Sequence, residues 1–189
     1  MVLTIDIGNT TIGIGGFQGN KLLFIEKISS RRPLSDAGYI EKLNMILNKH
    51  GLSAEAFEGS MISSVVPSVT AVFSSALEAF LGRKPLILSH KLDLGYEICT
   101  EFPEKVGCDR LADIAGAISR YSLPFVTIDL GTATTFNVLD ENRRFLGGLI
   151  LPGVGTAHRA LLGKTAQLPK GDIHMPAHTI GANTQECIT

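Results

Sequence analysis

Thr4-Ile5-Asp6-Ile7-Gly8-Asn9-Thr10-Thr11 decides the fold, because it returns as Thr127-Ile128-Asp129-Leu130-Gly131-Thr132-Ala133-Thr134-Thr135. In each copy a β-branched run carries an Asp, a Gly interrupts it, and a second run of strand character follows. One Asp-Gly or Gly-Asn pair is only a hairpin signal. Two copies with the same Thr-Ile-Asp before the turn and the same kind of strands after it point to an internal duplication.

Working outward from the first copy, VLTIDI is a strand, TIGIGGF resumes at Thr11, and after a Gly19-Asn20 turn KLLFIEKIS reads as a third. Around the second copy FVTIDLG, ATTFNVLD and RFLGGLILPG repeat that meander. Between them, residues 35–50 place Tyr39, Ile40, Leu43, Ile46 and Leu47 at helical spacing, with Gly51 as a stop. MISSVVP reads as a buried strand, residues 67–81 as a helix with Val69, Val72, Phe73, Leu77 and Phe80 on its apolar side, and PLILS as a further strand. The first half therefore runs βββαβαβ. An Ala-rich helix over 111–121 leads into the second meander, and residues 156–168 repeat the helix after it. Two related lobes are expected, 1–110 and 111–189, the second beginning with the interlobe helix. The second copy has no strands to match the two helix-strand units that follow the first meander, so about 60 further residues are expected to complete it.

The 189 residues and 44% apolar content suffice for a real core. Seventeen basic residues against 18 acidic ones, with no Lys/Arg run, argue against a nucleic-acid partner. Cys99, Cys108 and Cys187 share no CxxC spacing and are odd in number, which argues against a disulfide framework and a zinc knuckle. Met1 runs straight into VLTIDIG without a basic n-region, and no apolar run reaches spanning length. The expectation is a cytoplasmic protein with no membrane association.

A Gly turn between two strands lets backbone N–H groups face a concavity, and the missing side chain at Gly8 or Gly131 permits a phosphate to approach. Asn9, Thr10, Thr11, Thr132 and Thr134 add neutral donors. Asp6 and Asp129 would repel a phosphate unless Mg²⁺, a monovalent cation or a water lay between. Two such turns across a cleft would hold a nucleoside triphosphate from both sides. Neither GxxxxGKS nor GxGxxG is present. Between the copies lies Gly107-Cys108-Asp109-Arg110. Asp109 there could accept a proton from an attacking hydroxyl and Arg110 could hold a carboxylate, or the pair could be a first-turn Asp with a solvated Arg. His174 and His178 are four apart, but Pro176 between them favours a loop over a metal site. Cys108 reads as a small packed side chain, and Arg31-Arg32 and Arg143-Arg144 as solvated turn residues.

The ordered set Asp6-x-Gly8-Asn9-Thr10, Ser64-Val65-Val66-Pro67, Gly107-x-Asp109-Arg110, Asp129-x-Gly131-Thr132-Ala133-Thr134, Gly147-Gly148-x-Ile150-x-Pro152-Gly153 and Ile180-Gly181-x-Asn183-Thr184 resembles the type III pantothenate kinases from residue 2 to the end. Where many members read Tyr-x-Asn-Pro, this chain reads Thr100-Glu101-Phe102-Pro103. The resemblance implies an α/β fold of duplicated ribonuclease H-like, actin-like ATPase lobes, the second lacking its C-terminal part. It implies ATP-dependent phosphorylation of pantothenate, the first committed step toward coenzyme A. Asp109 is then the catalytic base, with Gly107, Arg110 and a partner subunit's residue matching Thr184 on pantothenate. Asp6, Gly8, Asn9, Thr10, Gly131, Thr132 and Ala133 meet ATP, Asp6 is linked to Mg²⁺, and Asp129 holds a monovalent cation, K⁺ or NH₄⁺. A homodimer is implied as well. Two other functions fit the same fold: a non-catalytic regulator of the Bvg accessory factor kind, and a phosphohydrolase with water in place of the acceptor hydroxyl.

Overall fold

A computed structural model of the chain describes residues 1–189 except 167, 170, 172, 175–177 and 189. The first meander forms as β1 (Val2–Ile7), β2 (Thr11–Gln18) and β3 (Lys21–Ser29), antiparallel throughout. Gly19, at φ +56, supplies the left-handed residue of the β2–β3 turn. Helix α1 (Asp36–Lys49) starts where the Ser35 hydroxyl accepts the Gly38 N–H. It is followed by β4 (Gly59–Ser64), α2 (Pro67–Leu81) and β5 (Leu86–Ile87). Both β4 and β5 add in parallel, giving the order β3-β2-β1-β4-β5. That order, with β2 running against its neighbours, is the ribonuclease H-like lobe.

Alternation decides which face is covered. Leu3, Ile5 and Ile7 point to one side of β1, where Tyr39, Leu43 and Leu47 of α1 and Phe73 and Leu77 of α2 close over them. Tyr39 and Phe73 meet with ring centroids 4.5 Å apart. The two helices are thus held by an apolar layer rather than by their own propensity.

The second sheet runs β6-β9-β8-β7, with β6 (Glu97–Ile98), β7 (Phe125–Leu130), β8 (Ala133–Leu139) and β9 (Arg144–Pro152). Strands β7, β8 and β9 repeat the antiparallel meander, and β6 joins the outer edge of β9 in parallel. Helix α3 (Cys108–Ile118) stands between the sheets and touches β4 on one side and β7 and β8 on the other. Its buried residues Leu111, Ile114 and Ala117 form one stripe. Helices α4 (Val154–Lys164) and α5 (Thr184–Cys187) complete the described elements.

The duplication holds in geometry but not in burial. Val126, Ile128 and Leu130 are the counterparts of Leu3, Ile5 and Ile7, yet they are 53, 57 and 75% exposed where the first three are 0, 1 and 0%. Among the described residues no pair of helices covers this face of β7, and no strand pairs with its outer edge.

Candidate active site

The two Gly turns meet. Gly8 N–H donates to Thr11 O at 2.9 Å, and Gly131 N–H donates to Ala133 O at 2.9 Å, so each turn is closed by its Gly N–H, the second one residue tighter than the first. The Thr10 and Thr132 hydroxyls lie 3.1 Å apart, bridging first sheet to second. Asn9 sits at the tip of the first turn. Gly153 packs behind the second turn. A Cβ there would collide with the Gly131 carbonyl oxygen and stand 2.8 Å from Thr132 O. Gly153 N–H and the Thr156 hydroxyl both donate to Thr132 O, at 3.0 and 2.7 Å. The start of α4, which no side chain caps, is thereby fixed against the turn.

Helix α3 begins three residues earlier than the sequence pattern indicates, at Cys108 rather than Leu111, and ends at Ile118. The earlier start places Asp109 and Arg110 in its first turn. Asp109 Oδ1 accepts the Arg110 backbone N–H at 2.8 Å. A Cβ at Gly107 would run into that carboxylate and displace it, so glycine at the N-cap position lets Asp109 keep this orientation. Asp113 is one turn on, on the same helix face.

Asp6, Asp109, Asp113 and Asp129 converge closely enough to act on one another. Although Asp6 is open to solvent at its tip, desolvation by the surrounding protein raises its carboxyl above the ordinary range. The Ser63 hydroxyl opposes that shift, and Asp109 and Asp129 add to it. Asp113 is pushed up to about 6, first by desolvation and then by Asp129, Asp109 and Asp6. No group of three or more His, Cys, Asp or Glu among the described residues could by itself cage a metal ion. Sparse carboxylates beside open Gly turns fit Mg²⁺, which keeps most of its ligands as water and substrate phosphate.

Arg110 is a cation facing this cluster. Its Nε donates to Asn137 Oδ1 at 2.6 Å, and its guanidinium carbon lies 5.3 Å from the centre of the Phe145 ring. Its Nη2 is buried without a hydrogen-bond partner among the described residues. A solvated Arg at this position is therefore not what the fold builds. Cys108 is half-buried, its thiol donating to Leu88 O at 3.1 Å, and burial pushes its pKa up, which suits an inert packing role. Arg144 is paired with Asp140 at 2.7 Å and ties the β8–β9 turn, a structural role the sequence reading of a solvated pair did not include.

Thr184 opens α5, which is capped by Asn183, and no hydrogen bond among the described residues joins it to the cluster. Residues 175–177, between His174 and His178, lie outside the described residues. Two contributors lie outside the sequence reading. Asp113 is signalled by its four-residue spacing from Asp109, whereas Asn137 becomes visible only once β8 is folded; Gly153, part of the Gly147–Gly153 motif, gains its bracing contacts only at the folded β9–α4 junction. A groove of ≈ 330 Å³ lined by Asp113, Arg120, Tyr121, Thr127, Ile128 and Asp129 runs between α3 and β7 beside the cluster.

Residues 2–189 match the family model described as type III pantothenate kinase. The chain belongs to the type III pantothenate kinase family. It is similar to the type III pantothenate kinase of Bifidobacterium animalis subsp. lactis, 39% identical over 188 residues that make up 100% of this chain and 75% of that protein. The type III pantothenate kinase of Dictyoglomus turgidum is 37% identical over 188 residues, 100% of this chain and 73% of that one. In fold it resembles a crystal structure of a conserved putative Baf family transcriptional activator from Campylobacter jejuni, with TM-score 0.56, 16% identity, and coverage of 98% of this chain and 71% of that one. Family membership makes this a kinase fold with two facing Gly turns and an Asp-Arg pair between them.

Proposed function

We propose that the protein transfers the γ-phosphoryl group of ATP to the primary hydroxyl of pantothenate, the opening step of coenzyme A synthesis. The observation that carries this reading is the meeting of two Gly turns, Thr10 to Thr132 at 3.1 Å, beside Asp109 and Arg110. Asn9 and Thr10 on one side and Thr132 and Ala133 on the other receive the phosphates by backbone and side-chain donors, Gly8 and Gly131 leave room for their approach, and Asp6 meets them through the cation. Phosphoryl transfer asks mainly for positioning and charge stabilisation, and two turns from two lobes provide both.

Asp109 accepts the proton of the pantothenate hydroxyl as the oxygen attacks phosphorus. Gly107 leaves room beside it, Arg110 takes the carboxylate of pantothenate, and Thr184 serves the pantothenate site of a second copy in a homodimer. Asp6, with waters and phosphate oxygens, holds Mg²⁺, which neutralises phosphate charge when bound. Asp129 holds K⁺ or NH₄⁺. The lobes divide as 1–110 and 111–189, with β6 reaching from the first to the outer edge of the second sheet. The absence of a membrane-crossing helix among the described residues and the free thiols of Cys99, Cys108 and Cys187 support a cytoplasmic site of action.

The test is ADP release by the protein in Mg²⁺ and K⁺, with and without pantothenate. Release that depends on pantothenate is expected. ATP binding with no pantothenate-dependent release would remove the kinase reading in favour of a nucleotide-binding regulator, and equal release in both would indicate hydrolysis.

A further inference from the structure

Asn137 is completely buried, at 0% exposure, in the middle of β8 on the face that looks toward α3. A buried amide is costly unless both ends are satisfied. Here they are, and the partners fix its orientation. Arg110 Nε can only donate, so Oδ1 must face it, at 2.6 Å. The NH₂ end then donates to Thr127 Oγ1 at 3.0 Å, the residue directly across the β7–β8 ladder, and reaches Asp113 Oδ2 at 3.5 Å.

Besides the Asp109 and Asp113 carboxylates that act on it, the walls around the guanidinium are apolar or bare. Phe145 lies 5.3 Å from its carbon, and at Gly148 a Cβ would strike the Phe136 carbonyl oxygen and come within 3.2 Å of Nη2. The side chain is thus seized at Nε while Nη2 is left buried with no acceptor among the described residues. A charged donor left dry and unsatisfied costs stability, so the orientation is imposed by the Asn137 contact and not by pairing at Nη2.

We propose that Asn137 is a positioning residue, which by accepting from Arg110 Nε fixes the orientation in which the guanidinium meets the anionic group of the acceptor. This rests on the proposed function in assigning the carboxylate of pantothenate to Arg110. Thr127 acts through Asn137 by holding its amide from the far end.

Two measurements on the unsubstituted protein, Asn137→Leu and Asn137→Asp test it. The first is the exchange rate of the Arg110 Nε–H followed by NMR on ¹⁵Nε-labelled protein. Slow exchange is expected in the unsubstituted protein and in Asn137→Asp, which retains an acceptor, and fast exchange in Asn137→Leu. The second is steady-state kinetics with pantothenate and with its primary amide, which lacks the carboxylate. Asn137→Leu should raise KM for pantothenate about tenfold, the effect of one charge-assisted hydrogen bond, while KM for ATP and for the amide change little; Asn137→Asp should recover most of the loss. Slow exchange persisting in Asn137→Leu, or an equal rise for both acceptors, overturns the proposal. If the unsubstituted protein does not turn over pantothenate, the functional reading fails, and the Nε–H exchange alone then decides for or against Asn137 holding Arg110. Should Asn137→Leu not fold, Thr127→Val carries the same tests, with about a threefold KM rise expected from loss of a neutral hydrogen bond.

Discussion

Gly153→Ala is a single methyl group placed where the structure has no space for it. Gly153 has φ −64 and ψ 157, which alanine adopts freely, so any effect is steric rather than conformational. The new Cβ would collide with the Gly131 carbonyl oxygen and lie 2.8 and 3.0 Å from the Thr132 oxygen and carbonyl carbon. All three are backbone atoms of the turn proposed to face the phosphates, and none can rotate aside. Relief requires the turn and the start of α4 to separate by about 1 Å. That stretches the two hydrogen bonds to Thr132 O, worth about 1 kcal/mol each, and overpacking adds about 1–3 kcal/mol. A loss of about 2–4 kcal/mol of stability is expected. Turnover should fall about 100-fold in the fraction that stays folded, because a shift of this size misplaces the reacting groups. Thermal melts and kcat/KM for pantothenate measure the two effects. Gly163→Ala is the control, since nothing lies within 4 Å of a Cβ at that position of α4, and it should be neutral or stabilising by under about 1 kcal/mol. Unchanged stability and turnover in Gly153→Ala would refute the claim that the β9–α4 junction braces the second Gly turn.

Two further outcomes follow from charge and from exposed apolar surface. The Asp113 carboxyl is raised from 3.8 to about 6 in the folded protein, so folding takes up a proton between those values, and stability is highest below pH 4 with respect to this group and is lost as pH rises through 6. Two pKa units correspond to about 3 kcal/mol; because Asp113 is part-exposed, screening reduces this to about 1 kcal/mol, and Asp113→Asn should melt about 2–4 °C higher at pH 7.5 and no higher at pH 4. A constant difference across that range would refute the assignment. Val126, Ile128 and Leu130 form an exposed apolar row, so the folded protein should bind the dye ANS in proportion to that surface; Ile128→Thr together with Leu130→Thr should lower the fluorescence with no loss of helix signal, and unaltered fluorescence would place the dye elsewhere.

Much of the fold was legible because two signals agreed. β-branched runs broken by Gly-containing turns mark β1 to β3 and β7 to β9, and the repeated Asp-x-Gly aligns the two sets. The elements misjudged are those set by pairing rather than by local pattern. PLILS reads as a strand of five, yet only Leu86–Ile87 pairs, because the parallel ladder with β4 is confined to Met61 and Ile62. Strand β6 is two residues long and exists only through Arg144 and Phe145 of β9. MISSVVP reads as a strand through to Pro67, but the strand stops at Ser64, and Pro67 takes the first position of α2, where its missing N–H costs nothing. The Ala-rich run drew the reading of α3 too far toward Tyr121, whereas Arg120 and Tyr121 fold back to donate to Ala117 O. Helix α4 starts at Val154 and ends at Lys164, shifted from 156–168 because the chain turns directly at Gly153 against the second Gly turn.

In the site, the sequence supplied the Gly turns and the Asp-Arg pair, whose chemistry is local. It did not supply Asn137 as the partner of Arg110, because that contact joins residues 27 apart through a strand face that becomes specific only on folding. Asp113 lay within reach of a helical-spacing argument from Asp109, but its charge matters only once Asp6 and Asp129 arrive from the two sheets.

The central claim is that Asp109 removes the proton of the acceptor hydroxyl while the two Gly turns hold ATP. Asp109→Asn, measured for ATP binding by calorimetry and for pantothenate-dependent ADP release, tests it most directly. Unchanged ATP affinity and a loss of about 100- to 10,000-fold in turnover are expected. Turnover retained at the level of the unsubstituted protein would contradict it.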